Sequence, residues 1–381
     1  MRRLSALTIF VCVFLIAARA PLPPTTAVRT PLTGIFAVKE FAAGKDASFA
    51  SSVFENPSVT GVAARIGWGT LEPTEGAFRW EPLDAMFTRA AAAGKAVALI
   101  IVPGFETPAW ALEHVQTASF GRKYGRDKGE VERLPLPWDA TYLARWSAFL
   151  KQVADRYGHQ PQFRLIGAAG PTSLSVEMSL PNTPEDLTEW IRLGYSPAKF
   201  IASWQQMFQT YSRLFPDQYM SLALYPGLPI NRQGRSDHTE RVRTRQAIVD
   251  LGLAYPTQFA LQTSGLNASK EAGAESGDEI VRSYSGRIAT GFQLSTAATR
   301  NPEKMGDANN PVNALRASIA KGLVPNDHGA RIRYLQIYEP DVINPDMQPV
   351  LVEAAKVLAG GKSSLFSSTP EATKPRRRKR E

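Results

Sequence analysis

The sequence predicts an α/β chain closed into a (β/α)8 barrel of the TIM type with extended βα loops. Three observations predict it. Short apolar runs and amphipathic segments alternate eight times over roughly 330 residues, the repeat such a barrel needs. The run Ala96 to Val102 is apolar almost throughout, as a parallel strand covered on both faces should be. The first strand–helix turn carries no Gly-x-Gly-x-x-Gly, and no Walker lysine loop occurs, so an open doubly wound sheet loses its usual support.

The elements follow in order. Gly34 to Val38 reads as the first strand and Gly61 to Trp68 as the second. Glu81 to Gly94 has helical spacing, with Leu83, Met86, Phe87 and Ala90 on one face and a glycine stop. Ala96 to Val102 is the third strand. Tyr142 to Tyr157 is a helix by the spacing of Leu143, Trp146, Phe149, Leu150 and Val153, and Phe163 to Ala169 is the fourth strand. Four more pairs complete the count: helix 201–215 with strand 220–225, helix 239–252 with strand 259–263, helix 279–285 with strand 288–294, and helix 312–323 with strand 333–338. Met347 to Leu358 is the closing helix. The longest βα connections, Pro103 to Asp139 and Gly170 to Lys199, follow the third and fourth strands. In a barrel both belong to the face that carries active sites.

Residues 1–20 open with Met1, Arg2 and Arg3, continue through an apolar run to Ala17 and end in Ala18-Arg19-Ala20. They read as a signal peptide or short membrane anchor, so the chain is expected to be exported, to a periplasmic or extracellular location. Residues 21–31 form a Pro-rich leader, 32–360 the barrel, and 361–381 a disordered basic tail. Of the net charge of +9, Arg2, Arg3, Arg19 and the cluster Lys374 to Glu381 account for eight, leaving +1 for the rest of the chain. A nucleic-acid-binding barrel is therefore not indicated, and the tail alone is left to touch anionic surfaces. Cys12, the single cysteine, lies in the signal or anchor segment, which excludes disulfides, a thiolate nucleophile and cysteine-bound metal from the barrel. The four histidines show no ligand spacing, so no metal or cofactor is expected.

Two apolar runs lead to glutamates. Phe163-Arg-Leu-Ile-Gly leads through Pro171 and Ser175 to Glu177, and Arg333-Tyr-Leu-Gln-Ile-Tyr leads to Glu339-Pro-Asp341. Two carboxylates converging on one cleft are the minimum equipment for acid-assisted cleavage of a glycosidic bond, retaining at a separation of about 5–5.5 Å and inverting at a wider one. Trp68, Trp110, Trp138, Tyr225 and Tyr338 fall at or after strand ends, where aromatic faces suit pyranose rings. Gln262, Asn267 and Gln293 carry amides suited to hydroxyl groups, and Glu106 lies in the third βα loop. Asn267-Ala-Ser269 also fits an N-glycosylation triplet.

The stretch Val62-Ala-Ala-Arg-Ile-Gly-Trp-Gly-Thr-Leu-Glu-Pro-Thr-Glu-Gly-Ala-Phe-Arg-Trp80, continued by Leu83-Asp84, Gly94-Lys95 and Thr107-Pro-Ala-Trp110, resembles the glycoside hydrolase barrels of clan A, above all their β-galactosidase and cellulase-like members. The likeness is densest from about residue 58 to 112. It implies a general acid/base at the end of the fourth strand, where Glu177 is the carboxylate in the window and Val176 stands where the clan usually has Asn. It implies a supporting arginine at Arg65. It also implies a nucleophile at the end of the seventh strand, but that strand carries Gln293, and Glu339 falls on the eighth. Three alternatives stay open: a miscounted strand, a second carboxylate placed elsewhere, or lost retaining chemistry. The expectation is a retaining hydrolase of a β-linked oligo- or polysaccharide using Glu177, Glu339 and Arg65. A non-catalytic carbohydrate-binding barrel and a transglycosylase are the alternatives.

Overall fold

The computed structural model describes residues 29–41, 48–122, 129–173, 176–270 and 276–366. The leader through residue 28 and the tail from residue 367, on which the export and basic-tail readings fall, lie outside the described residues. No described helix is long and apolar enough to cross a membrane.

Ten strands occur among the described residues: β1 (Gly34–Phe41), β2 (Val59–Gly67), β3 (Ala96–Val102), β4 (Thr117–Gly121), β5 (Val131–Pro135), β6 (Phe163–Gly167), β7 (Tyr219–Ala223), β8 (Phe259–Leu266), β9 (Ala289–Leu294) and β10 (Tyr334–Tyr338). Eight of them close into a barrel in the order β1-β10-β9-β8-β7-β6-β3-β2. Every pairing in it is parallel. The protein is thus a (β/α)8 barrel, and β9 and β10 are its seventh and eighth strands, so no strand was miscounted. The remaining pair, β4 and β5, is an antiparallel hairpin in the long third βα loop. That hairpin and the helix Pro184–Arg192 in the fourth loop are regular structure that the sequence reading left as connection.

Register decides which side chains face the barrel axis. Phe36 pairs with Gly61 and Tyr334 with Gly291. A Cβ on Gly61 would meet the Phe36 ring at 2.7 Å, and one on Gly291 the Tyr334 ring at 2.4 Å. The two aromatic rings thus fill the lumen over glycines, edge to face at 6.3 Å, and the Tyr334 hydroxyl donates to Gln262 Oε1 at 2.8 Å. The opposite parity on β9 and β10, Phe292 and Leu335, faces Gly322 on the helix Pro311–Gly322. On β10, therefore, 334, 336 and 338 point inward, and 335 and 337 outward.

Outside the strands an aromatic layer seals the first half of the barrel. Trp68 is fully buried and packs on Trp110, Trp146 and Phe149. Its indole N–H donates to Glu72 Oε2 at 2.9 Å, and Glu72 Oε1 accepts from Gly76 N at 3.0 Å. The Leu-Glu-Pro turn is held by that carboxylate, which is itself buried.

Candidate active site

A cavity of about 720 Å³ opens at the C-terminal ends of the strands, and a side pocket of about 310 Å³ adjoins it. Arg65, Glu177, Tyr225, Asn267, Gln293 and Tyr338 all line the larger one. Glu177, Tyr225 and Ser264 are shared with the side pocket. Six residues singled out from the sequence are therefore brought together.

Glu177 reaches this cleft by an excursion. After β6 the chain leaves the sheet, then returns so that Glu177 bridges Ala223 of β7 in parallel and Met178 N donates to the Ala223 carbonyl at 3.1 Å. Ala223 pairs with Gln262, which faces the lumen, so this re-entry turns Glu177 inward as well. Val176 packs over Gly167, where a Cβ would meet it at 3.2 Å. The loose fit of Glu177 to the fourth strand in the sequence is this detour.

The stem of the detour is clamped from behind. The Tyr142 hydroxyl donates to the Gly170 carbonyl at 2.7 Å, Trp146 Nε1 donates to the Ala169 carbonyl at 3.1 Å, and Ala169 N donates to the Tyr211 hydroxyl at 3.1 Å. Gly104, at φ +69°, docks the third loop on the fourth. Phe105 N donates to the Ser173 carbonyl at 2.9 Å, and a Cβ on Gly104 would strike that oxygen.

Gln293 stands at the end of the seventh barrel strand, and its Nε2 donates to the Tyr338 hydroxyl at 3.0 Å. Burial holds the Tyr338 phenol above its ordinary pKa; Arg65 and the Gln293 bond pull it down, while Glu40 and Glu177 push it up. The phenol therefore stays protonated, with its own O–H available to donate to a ligand.

Glu339 is not in this group. One residue past Tyr338, it opens the short helix Glu339–Val342 and is absent from the cleft lining. Its carboxylate accepts from Ala50 N at 2.8 Å and pairs with Lys39 Nζ at 3.1 Å. The neighbouring Asp341 is buried and accepts from Ala298 N at 2.7 Å and from Thr299 N at 2.9 Å, tying the seventh βα loop to the eighth. The expected pairing of Glu177 with Glu339 in one cleft is corrected accordingly: Glu339 is held by Lys39 and Ala50 N and does not line the cavity.

Five other expectations are corrected by packing. Trp68 is core. Trp110 is absent from the cleft lining; its indole donates to the Glu72 carbonyl at 3.1 Å. Trp138 packs between Trp190 and Tyr195 under Lys199. Gln262 is buried in the lumen beneath the cleft, on Tyr334. Glu106 is held by Arg122 Nη1 at 3.0 Å, so that Arg122, not Glu106, lines the cavity. Asn267 does line it, but its side chain is also engaged by Ser269 Oγ and Lys270 N, in a turn that leaves the amide 7% exposed. It is a poor acceptor for a glycan. Among the described residues no cluster of potential metal ligands occurs.

Residues 47–211 match the family model Glyco_hydro_42, described as Beta-galactosidase. The matched stretch contains Arg65 and Glu177, and ends before Gln293 and Tyr338. No curated protein matches the chain. Among solved structures it is similar to a cold-adapted β-galactosidase from Rahnella sp. R3, at 12% identity and a TM-score of 0.48 over 87% of this chain and 57% of that one. It is also similar to a β-galactosidase from Marinomonas ef1, at 13% identity and 0.45 over 88% and 62%. A third similar structure is xylanase 10B from Thermotoga petrophila RKU-1 in complex with xylobiose, at 10% identity and 0.44 over 80% and 82%. The chain thus spans under two thirds of the length of either β-galactosidase. These are likenesses of shape.

Proposed function

We propose that this protein is a glycoside hydrolase acting on a β-linked oligo- or polysaccharide, with Glu177 as the general acid. The observation that carries this reading is the re-entry of Glu177 beside Ala223, which returns a carboxylate to the barrel mouth among Arg65, Tyr225 and Tyr338. A half-buried carboxyl in a cleft with aromatic walls is suited to protonating a leaving oxygen, and the phenol and amides offer partners for sugar hydroxyls. The family match over residues 47–211 supports the same class of reaction. The reading of an exported enzyme rests on the sequence of residues 1–20.

A second reading is a carbohydrate-binding barrel without catalysis. It is favoured by one feature, the amide Gln293 at the end of the seventh strand. Reducing-end release from a panel of β-linked oligosaccharides and 4-nitrophenyl β-glycosides separates the two. The catalytic reading expects turnover by the wild type and a loss of about 10²–10⁴-fold in Glu177→Gln. Binding without turnover in both proteins would establish the second reading.

A further inference from the structure

The side pocket beside Glu177 has a wall that a neutral sugar does not call for. Arg245 and Lys270 line it, with Tyr225, Thr263, Ser264 and Ser276 around them. Arg245 belongs to the buried face of the helix His238–Leu253, where Ile248, Val249 and Gly252 follow it at helical spacing. That face packs on the barrel: a Cβ on Gly252 would meet the Phe259 ring at 2.3 Å. Arg245 is only 5% exposed and borders the pocket, so a guanidinium stands where the helix otherwise buries apolar side chains. Its five donors in a planar fork can serve more than one acceptor at a time.

Lys270 follows β8 in a turn closed by Asn267 Oδ1, which accepts from Lys270 N at 2.8 Å. Its side chain is 43% exposed, and its Nζ lies 3.7 Å from Asp278 Oδ1. Asp278 is buried and accepts from Thr263 Oγ1 at 2.9 Å on that same oxygen. An ammonium has three donors, so this pair anchors Lys270 at the pocket wall without exhausting it. The charge of the whole cleft leans the same way. Among the described residues bordering the two cavities, Arg65, Arg245, Lys270 and Lys304 stand against Glu177 and Asp186. Arg122, also in the wall, is left out because Glu106 and Glu132 already answer it. The chain between its charged ends carries only +1, so positive charge is concentrated at the cleft, which favours an anionic ligand.

We propose that the side pocket is a subsite for an acidic sugar, and that the substrate is a β-linked glycan containing uronic acid. This rests on the glycosidase reading above, whose substrate class it names. The sugar carboxylate meets the Arg245 fork, a pairing of two planar groups, and Lys270 adds its charge. A hydroxymethyl group in the same place offers no charge to either. At about 310 Å³ the pocket is on the scale of one sugar ring, so it selects a single unit of the glycan. Glu177 and Tyr225 border both cavities. A glycan with its uronate in the side pocket therefore passes Glu177 as it runs into the larger cavity, with the scissile bond at the junction.

The test uses the full-length protein and matched pairs of β-linked oligosaccharides, each an oligouronide and the neutral oligosaccharide obtained by reducing its carboxylates. One such pair is a β-1,4-oligoglucuronide and the cello-oligosaccharide of equal length. Reducing-end release is expected to give a kcat/KM about 10–10²-fold higher on the uronide of at least one pair. That excess is expected to fall as salt is raised, and to shrink in Arg245→Met mainly through KM. Lys270→Gln, at an exposed side chain, keeps the test decisive if Arg245→Met does not fold, and is expected to lower the same excess several-fold. An excess that survives intact in Lys270→Gln, or in a folded Arg245→Met, would overturn the subsite. A wild type at least as fast on the neutral members, or faster on sulfated than on carboxylated oligosaccharides, would overturn the uronate substrate and leave the glycosidase reading standing. A wild type that cleaves no member of any pair would overturn both.

Discussion

The buried Glu72 carboxylate accepts from the Trp68 indole N–H on one oxygen and from Gly76 N–H on the other. Removing it strands two donors, one of them fully buried. Such a loss costs about 1–3 kcal/mol, more where a charged acceptor is lost. Glu72→Ala is accordingly expected to lower the unfolding free energy in urea by that amount with KM unchanged, because Glu72 does not line the cleft. A change in KM without a loss of stability would assign it to ligand instead. Single residues also show how the sequence reading of the site went astray. Glu339 was chosen for the strand end before it, yet Tyr338 is the side chain that faces the cavity, and the next position turns away. Lys39-Glu40 looks like the polar edge of a loop, whereas β1 continues to Phe41. Trp68 carried no signal separating stacking on sugar from stacking on Trp146. That distinction lies in the packing of a helix far along the chain.

At the scale of elements, the Glu177 detour depends on the third and fourth βα loops and on the helix Ala140–Tyr157 behind them. Tyr142 is the joint between them: its hydroxyl donates to the Gly170 carbonyl and accepts from Gly104 N at 3.3 Å, one contact on each loop. Tyr142→Phe keeps the packed ring and deletes both bonds. It is expected to cost about 1–3 kcal/mol in chemical denaturation and to lower kcat more than KM, because the acid is displaced while the rest of the cleft persists. An unchanged kcat in a destabilised protein would show that the detour holds its place without this joint. The helices and strands themselves were legible, since apolar spacing fixes which face is buried. The hairpin of β4 and β5 and the helix Pro184–Arg192 were not. Their aromatic residues bury against each other in a layer above the barrel, as in the stack of Phe120 on Trp190 at 4.5 Å, and no local period announces a partner that distant.

For the whole molecule, the closed ring of eight parallel strands brings β1 and β2 to the same mouth as β9 and β10. This is how Arg65, Gln293 and Tyr338, far apart in the sequence, come to line one cavity. The barrel was readable as alternation, and the seventh-strand amide was readable as a departure from the clan. Closure confirms the strand count: the amide stands on the seventh strand, and the glutamate after the eighth is held by Lys39 and Ala50 N. The central claim is that Glu177 donates the proton that lets the leaving sugar depart. Its most direct measure is the rate of Glu177→Gln relative to wild type on two β-glycosides that differ in leaving group, 2,4-dinitrophenol and an alkyl alcohol. An acid is needed only where the leaving group is a poor one. The account predicts a ratio near one for the dinitrophenyl glycoside and a loss of about 10²–10⁴-fold for the alkyl glycoside. An equal loss on both would contradict it.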